Sequence, residues 1–143
     1  MQNDLVQRAK ELAIRAHAGQ VDKAGRPYIE HVARVAAAVT DNSVAEAVAW
    51  LHDVLEDCDT SYDHEIFMGF DDDIYLSVYT LTRDPIVTPD DYYYSIRQDE
   101  VALRVKLADI ADNSSEERLA LLDEKTAARL RRKYAKAISA LTE

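Results

Sequence analysis

Two stretches of this 143-residue chain carry side chains suited to metal binding and proton transfer. The first, HDVLED from His52 to Asp57, ends the apolar segment SVAEAVAWL. On a helix, His52 and Glu56 lie one turn apart, as do Asp53 and Asp57, so the stretch shows two adjacent polar columns. The helix dipole already puts negative character at a C-terminal end, which makes carboxylates unfavourable there. Burying them costs more still unless a cation compensates. A metal ion supplies that compensation, with His52 and Asp53 as ligands and Glu56 and Asp57 one turn further on. The bland alternative is a solvated, acid-rich helix end. It accounts for any isolated His-Asp pair, but less easily for the whole of HDVLED after a central helix.

A mononuclear site needs more ligands. His31, in PYIEHV, is one candidate; taken alone it reads as a core or boundary histidine. The second stretch, VKLADIADN, places Lys106, Asp109 and Asn113 at i, i+3 and i+7, on one polar stripe of an otherwise apolar segment. By itself that stripe is equally consistent with a solvated face. Together His31, His52, Asp53 and Asp109 form a set of two histidines and two carboxylates drawn from three helices. Mixed nitrogen and oxygen ligands suit Mn²⁺, Fe²⁺ or Zn²⁺, and the residues do not choose among them.

The elements that must position these groups are helical. Gly and Pro number only three each, against many Ala, Leu, Glu, Lys and Arg. The spacing of Leu5, Ala9, Leu12, Ala13 and Ala16 predicts a first helix, capped by Asn3 or Asp4 and ended at Gly19. Pro27 suits the first turn of a second, with a stripe of Ile29, Val32, Val35, Ala36 and Val39. Asn42 or Ser43 caps a third, apolar nearly all round until His52 and therefore central. CDTSYDHEIFMGFDD reads as loop plus short helix, and DIYLSVYTLT as a helix despite a β-leaning composition. RDPIVTPDD is a loop and YYYSIRQ a short helix. DEVALRVKLADIADN is a strong helix with a core stripe of Val101, Val105, Leu107 or Ala108, and Ala111. SSEERLALL and DEKTAARLRRKYAKAISALT close the chain as one or two helices. The expectation is an all-α bundle forming a single domain over residues 1–143.

The formal charge of −10, from 27 acidic and 17 basic side chains, disfavours nucleic acid and anionic membrane as partners. It permits a small anionic ligand where a metal and a few basic groups focus positive potential. A lone cysteine, Cys58, no membrane-length apolar run and no signal-like start together predict a cytoplasmic protein. The oligomeric state is left open.

The order His31, His52–Asp53, Asp109 resembles the HD-domain metal phosphohydrolases. The blocks AHAGQVDKAGRPYIEHV, AWLHDVLED, LTRD and VKLADIADN resemble more closely the hydrolase domain of the RelA/SpoT alarmone enzymes, above all the small stand-alone alarmone hydrolases. The likeness runs over almost the whole chain. It implies an HD-domain helical bundle and a single Mn²⁺ held by His31, His52, Asp53 and Asp109. It implies that Glu56 and Asp57 form a catalytic acidic pair that positions and deprotonates the attacking water. Lys23 falls on a basic residue facing the nucleotide and Asn113 on a nucleotide contact. Lys106 is suited to holding phosphate or pairing with an acid, or is simply the snorkelling edge of its helix. The implied reaction removes pyrophosphate from the 3′ position of guanosine (p)ppGpp. A metal polarises a phosphoryl oxygen and acidifies bound water, and Mn²⁺ is a weak enough acid that a nearby carboxylate base matters, Glu56 first.

The resemblance departs at two positions. Asp22 stands where the family usually carries an arginine that stacks on guanine, and a carboxylate neither stacks nor attracts phosphate. Val32 stands where proline commonly follows the histidine. The alternatives are therefore an HD nucleotidase or phosphatase acting on another phosphorylated nucleotide, and, from a different class, a non-catalytic nucleotide-binding domain. Of Tyr92, Tyr93 and Tyr94, at most two can line a base pocket. His17 reads as structural, His64 as a surface residue, and Cys58 as no nucleophile, since nothing places a base beside it.

Overall fold

A computed structural model of the chain describes residues 2–57 and 69–142, excepting the side chains of Gln2, Asn3 and Asp57. The segment from Cys58, with His64, lies outside the described residues. Within them the chain is an all-α bundle: α1 Gln2–Ala16, α2 Tyr28–Ala37, α3 Ser43–Leu51, α4 Val54–Asp57, α5 Asp72–Leu81, α6 Pro89–Arg97, α7 Glu100–Asn113, α8 Glu116–Leu119 and α9 Glu124–Thr142. An isolated antiparallel bridge, Val21 to Pro27, closes the loop between α1 and α2. Gly19 and Gly25 in that loop have φ near +80°, a conformation that glycine adopts without the Cβ clash other residues meet.

Side chains at the helix starts define the boundaries. Asn42 Oδ1 accepts from the amides of Val44 and Ala45 and begins α3. Thr88 caps α6, with Pro89 in its first turn. Asp99 caps α7 by accepting from Ala102 N. Each bond satisfies an amide that has no partner inside the helix. Asn3 and Asp4 do not cap α1, which already includes Gln2. Pro27 precedes α2 rather than joining its first turn.

α3 is the buried centre. Ala45 and all residues from Ala47 to Leu51 are inaccessible or nearly so, and α1, α2, α5 and α7 pack around it. From α1 come Ala9, Leu12 and Ala13; from α2, Val32, Val35 and Ala36. Val32, the second departure from the family pattern, is fully buried. The expected stripe of α7 needs correction. Ala102, Val105 and Ile110 are its buried apolar residues, Val101, Leu107 and Ala108 only flank the core, and Ala111 is exposed. α7 turns one apolar face to α3 and gives the adjoining face to Asp109, so its burial follows the site as well as the core. Burial of this core drives the bundle together, at about 25 cal/mol per Å² of apolar surface removed from water.

The helix carrying HDVLED is not continuous. α3 stops at Leu51, His52 and Asp53 form a turn, and α4 begins at Val54. The break lets the motif turn two neighbouring side chains into the bundle at the end of its most buried element.

Candidate metal centre

His31 from α2, His52 and Asp53 from the break after α3, and Asp109 from α7 meet inside the bundle. Each offers a ligand atom, and these four atoms lie within 4.8 Å of one another. The two histidines are about as buried as the core, at 1% and 3% exposure, and Asp109 is at 7%.

Hydrogen bonds fix which imidazole nitrogen faces the cluster. His52 Nδ1 lies 2.6 Å from the carbonyl of Ala49. A carbonyl only accepts, so Nδ1 carries a proton. That leaves His52 Nε2 directed at carboxylates, 3.1 Å from Asp53 Oδ2 and 3.4 Å from Asp109 Oδ1. It is buried and, among the described residues, has no well-directed hydrogen-bond partner. His31 repeats the pattern: Nδ1 lies 2.6 Å from Asp112 Oδ2 and Nε2 lies 2.9 Å from Asp109 Oδ1. Two imidazole lone pairs aimed at two carboxylates are repulsive unless a cation sits among them. A divalent ion fits that donor set, as does a pair of protons when no ion is bound.

The ionisation of the cluster shows the same demand. Burial opposes a charged His52, yet the Asp53 and Asp109 carboxylates raise its pKa well above the ordinary histidine value. His31 is raised too: burial opposes it, and hydrogen bonds to Asp109 and Asp112 outweigh burial. Burial also works against an ionised Asp53, but the facing His52 holds it below the usual range. Asp109 goes further down against its burial, through Lys106 and the two histidines. The Asp109 carboxylate in turn keeps Lys106 charged despite its burial.

A second layer orients these groups. Tyr28 OH donates to Asp53 Oδ2. Lys106 Nζ and Asn113 Nδ2 each lie 3.2 Å from an oxygen of Asp109. Asp112 receives Arg34 Nε at 2.7 Å and Arg118 Nη1 at 2.9 Å on the carboxylate that also holds His31. Arg118 then reaches Asn113 Oδ1 at 2.7 Å and Asp22 Oδ2 at 3.0 Å. The other oxygen of Asp22 accepts from the amides of Ala24 and Arg26, closing the turn at Gly25. Asp22 is thus a turn-forming residue already paired with a guanidinium, and its charge is not free to repel a ligand.

The cluster opens into a cavity of about 1540 Å³, whose lining includes Asp53 and Asp109. Of the residues expected to carry chemistry or bind substrate, Lys23, Glu56, Lys106 and Asn113 all line it. Glu56 is exposed on α4, and its Oε2 lies 3.3 Å from the amide of Arg83. The side chain of Asp57 lies outside the described residues. Lys106 and Asn113 bond to Asp109, so both belong to the support of that carboxylate as well as to the cavity wall. Tyr92 and Tyr93 line the cavity, whereas Tyr94 is 57% exposed. Tyr92 donates to the carbonyl of Leu81, and its hydroxyl is pushed up to about 12, by burial first. His17 is buried, with Nδ1 2.8 Å from Gln20 Oε1.

Sequence reasoning missed Tyr28, Asp112 and Arg118. A partner for the second nitrogen of each ligand histidine is a general requirement, and Asp112, one turn from Asp109 on the same helix, was a findable answer to it. Arg118 carries no such signal, because its partners come from three separate parts of the chain.

No family model matches the sequence. A solved structure of a metazoan ortholog of SpoT that hydrolyzes ppGpp and plays a role in starvation responses superposes with a TM-score of 0.79 at 21% sequence identity, covering 96% of this chain and 85% of that one. Among the described residues no helix is long and apolar enough to cross a membrane. The chain therefore has the all-α fold of a ppGpp hydrolase, built around a buried His–Asp cluster able to hold a metal ion.

Proposed function

We propose that the protein is a metal-dependent phosphohydrolase that removes the 3′-pyrophosphate from guanosine (p)ppGpp alarmones. The observation that carries the reading is the buried cluster itself: the Nε2 atoms of two histidines directed at two carboxylates, next to a cavity lined by basic side chains. The shared fold with a ppGpp hydrolase supports the choice of substrate.

In this reading His31, His52, Asp53 and Asp109 hold one divalent ion; their mixed nitrogen and oxygen donors suit several such ions, and the family resemblance favours Mn²⁺. When bound, the ion polarises a phosphoryl oxygen and acidifies water. Asp112 and the carbonyl of Ala49 keep the imidazoles in the tautomer that presents Nε2. Tyr28 fixes Asp53, and Lys106 and Asn113 fix Asp109. Glu56, on the cavity wall, takes a proton from the attacking water, and Asp57 orients that water. The water oxygen bonds to the phosphorus joined to the 3′ oxygen, the bond to that oxygen breaks, and the 3′ oxygen leaves with a proton. From ppGpp the products are GDP and pyrophosphate. Lys23 and Lys106 supply positive charge to the phosphates, and Asn113 a hydrogen bond.

A second reading, another phosphorylated nucleotide as substrate, is favoured by Asp22. Its carboxylate is tied into a turn and to Arg118, so no guanidinium stacks on a base from that position. One experiment separates the two. Metal-stripped protein is given Mn²⁺ and ppGpp, and the products are resolved by ion exchange, with Asp53→Ala beside it. GDP and pyrophosphate from the wild type alone support alarmone hydrolysis. No turnover by protein that binds Mn²⁺ rejects it and leaves the second reading, for which a panel of other nucleotides is then assayed.

A further inference from the structure

Among the described residues four tyrosines stand on the wall of the cavity: Tyr28, Tyr92, Tyr93 and Tyr134. Three of them already have their rings engaged by the protein. Tyr28 donates to Asp53, and its ring centroid lies 5.2 Å from that of His17 and 5.4 Å from that of His31. Tyr92 donates to the carbonyl of Leu81 and has cations against its ring, Arg83 at 5.1 Å and Lys106 at 5.7 Å from the centroid. Tyr134 has Lys133 Nζ 5.6 Å from its centroid and packs against both apolar clusters, the main core and that of Leu119 and Leu130.

Tyr93 is the exception. It is half-buried, packs against the core with part of its side chain, and gives the rest to the cavity. Among the described residues its one ring contact is Tyr92, at 5.5 Å and tilted by 53°. No cation lies over it there, and no hydrogen bond holds its hydroxyl. Its position is nonetheless fixed. Thr88 caps α6, Pro89 stands in the first turn, and Tyr92 and Ile96 anchor the helix in the core. A tyrosine has only two side-chain torsions to fix, so such a ring offers contact area at low entropic cost.

The cavity wall places that ring relative to the metal cluster. Along α7 the wall runs through Lys106, Asp109 and Asn113, about 10 Å at 1.5 Å per residue. Tyr92, and with it α6, lies against Lys106. Asp22 is tied through Arg118 to Asn113, at the other end. Tyr93 and the Asp22 loop therefore flank the Asp109 carboxylate from opposite directions along α7. The part of that loop on the cavity wall, Gln20 to Ala24, has no aromatic ring. Cations on the wall suit phosphates, and a π face adds little to a phosphate. It adds affinity for a flat, π-bearing group carried on the same molecule, and a nucleotide base is such a group.

We propose that Tyr93 is the stacking platform for the base of the nucleotide, so that the base lies at the Lys106 end of the cavity, on the α6 side, and not against the Asp22 loop. Every base has a π face, so this platform selects a nucleotide over a base-free phosphate without itself choosing guanine. The role rests on the function proposed above and deepens it by naming the residue that holds the base.

To test it, GDP is titrated calorimetrically into the metal-stripped protein, which needs no turnover. Tyr93→Ala should bind it about tenfold more weakly or worse. Tyr93→Phe, which keeps the ring, and Tyr94→Ala, which changes a neighbour that does not line the cavity, should bind within about twofold of wild type. Pyrophosphate, which has no base, should bind Tyr93→Ala as it binds wild type. Should circular dichroism show Tyr93→Ala to be unfolded, Tyr93→Leu takes its place, keeping apolar bulk against the core without the π face. GDP binding unchanged in the Ala or Leu variant, or weakened as much in Tyr93→Phe, overturns the platform. So does an equal loss for pyrophosphate, or no binding of GDP by the wild type at millimolar concentration. The Mn²⁺-loaded enzyme is then given ppGpp, for which Tyr93→Ala should raise KM about tenfold and leave kcat within about twofold. A fall in kcat with KM unchanged overturns the platform too. If the wild type does not turn over ppGpp, the proposed function fails, and the GDP titration still decides the platform.

Discussion

Replacing Asp112 by asparagine removes the charge from the carboxylate that holds His31 Nδ1, while leaving an oxygen that can still accept. Burial opposes the ionised form of Asp112, but the hydrogen bonds from His31 and Arg34 lower its pKa from 3.8 to about 2. At roughly 1.4 kcal/mol per tenfold change in proton affinity, that difference is roughly 2.5 kcal/mol. Arg34 is well exposed, and solvent screening reduces the figure to about 1–2 kcal/mol. The sign follows from the depressed pKa. The native state prefers the ionised carboxylate, so the stabilisation is fully present above the unfolded value of 3.8 and is lost as pH falls towards 2. Urea unfolding of metal-stripped wild type and Asp112→Asn at pH 7 should differ by about 1–2 kcal/mol, and the gap should close as the pH falls from 3.8. Asp112→Ala also removes the acceptor. Without it His31 can rotate or change tautomer, and Mn²⁺ affinity should fall about 10–100-fold. A gap that persists unchanged at pH 2.5, or an Asp112→Ala protein that binds Mn²⁺ like wild type, refutes the assignment of Asp112 as the group that orients His31.

Other perturbations reach the same cluster by different routes. The pKa of His52 is raised well above 6.5, so its contribution to metal-free stability is fully present below pH 6.5 and lost as pH rises through the folded value; calorimetry in chelator should show a melting temperature that falls as the pH rises above 6.5, and a flat profile contradicts it. Excess Mn²⁺ should abolish that fall, because the ion displaces the proton. Tyr28→Phe removes the donor to Asp53 Oδ2 and should weaken Mn²⁺ binding about tenfold or more with the fold intact; unchanged affinity in a metal titration counts against an orienting role. Leu51→Ala opens a cavity beneath the HDVLED break at a fully buried position and should cost about 2–5 kcal/mol in urea unfolding, with a loss below 1 kcal/mol showing that α3 is less central than its burial indicates.

The helices were legible because their signals are local. The Asn42 cap and the apolar run to Leu51 mark α3, and DIYLSVYTL forms α5 although its residues lean towards strand. Packing against α3 and α7 decides that case over propensity. Position Ala111 went wrong for a related reason: periodicity cannot tell which face of α7 meets the core when another face supports a polar cluster. The break at His52 and Asp53 was not visible either, since both residues tolerate helix and only tertiary contacts stop it there. Of the cluster, His31, His52, Asp53 and Asp109 could be singled out by type, spacing and resemblance, and the fold brings all four together. Their support could not. Arg118 joins Asp22, Asp112 and Asn113 across separations in sequence that carry no periodic signal. Asp22 looked like a repulsive charge beside the ligand site, and only the structure shows it neutralised by Arg118.

The central claim is that one divalent ion, held by His31, His52, Asp53 and Asp109, is required for hydrolysis of a 3′-pyrophosphate. The most direct test is reconstitution: metal-stripped protein is back-titrated with Mn²⁺ while release of pyrophosphate from ppGpp is followed, with His52→Ala as the comparison. The account predicts activity that rises linearly and levels off at one Mn²⁺ per chain, and none from the variant. Turnover that is undiminished in the metal-stripped protein, or that survives in His52→Ala, would contradict it.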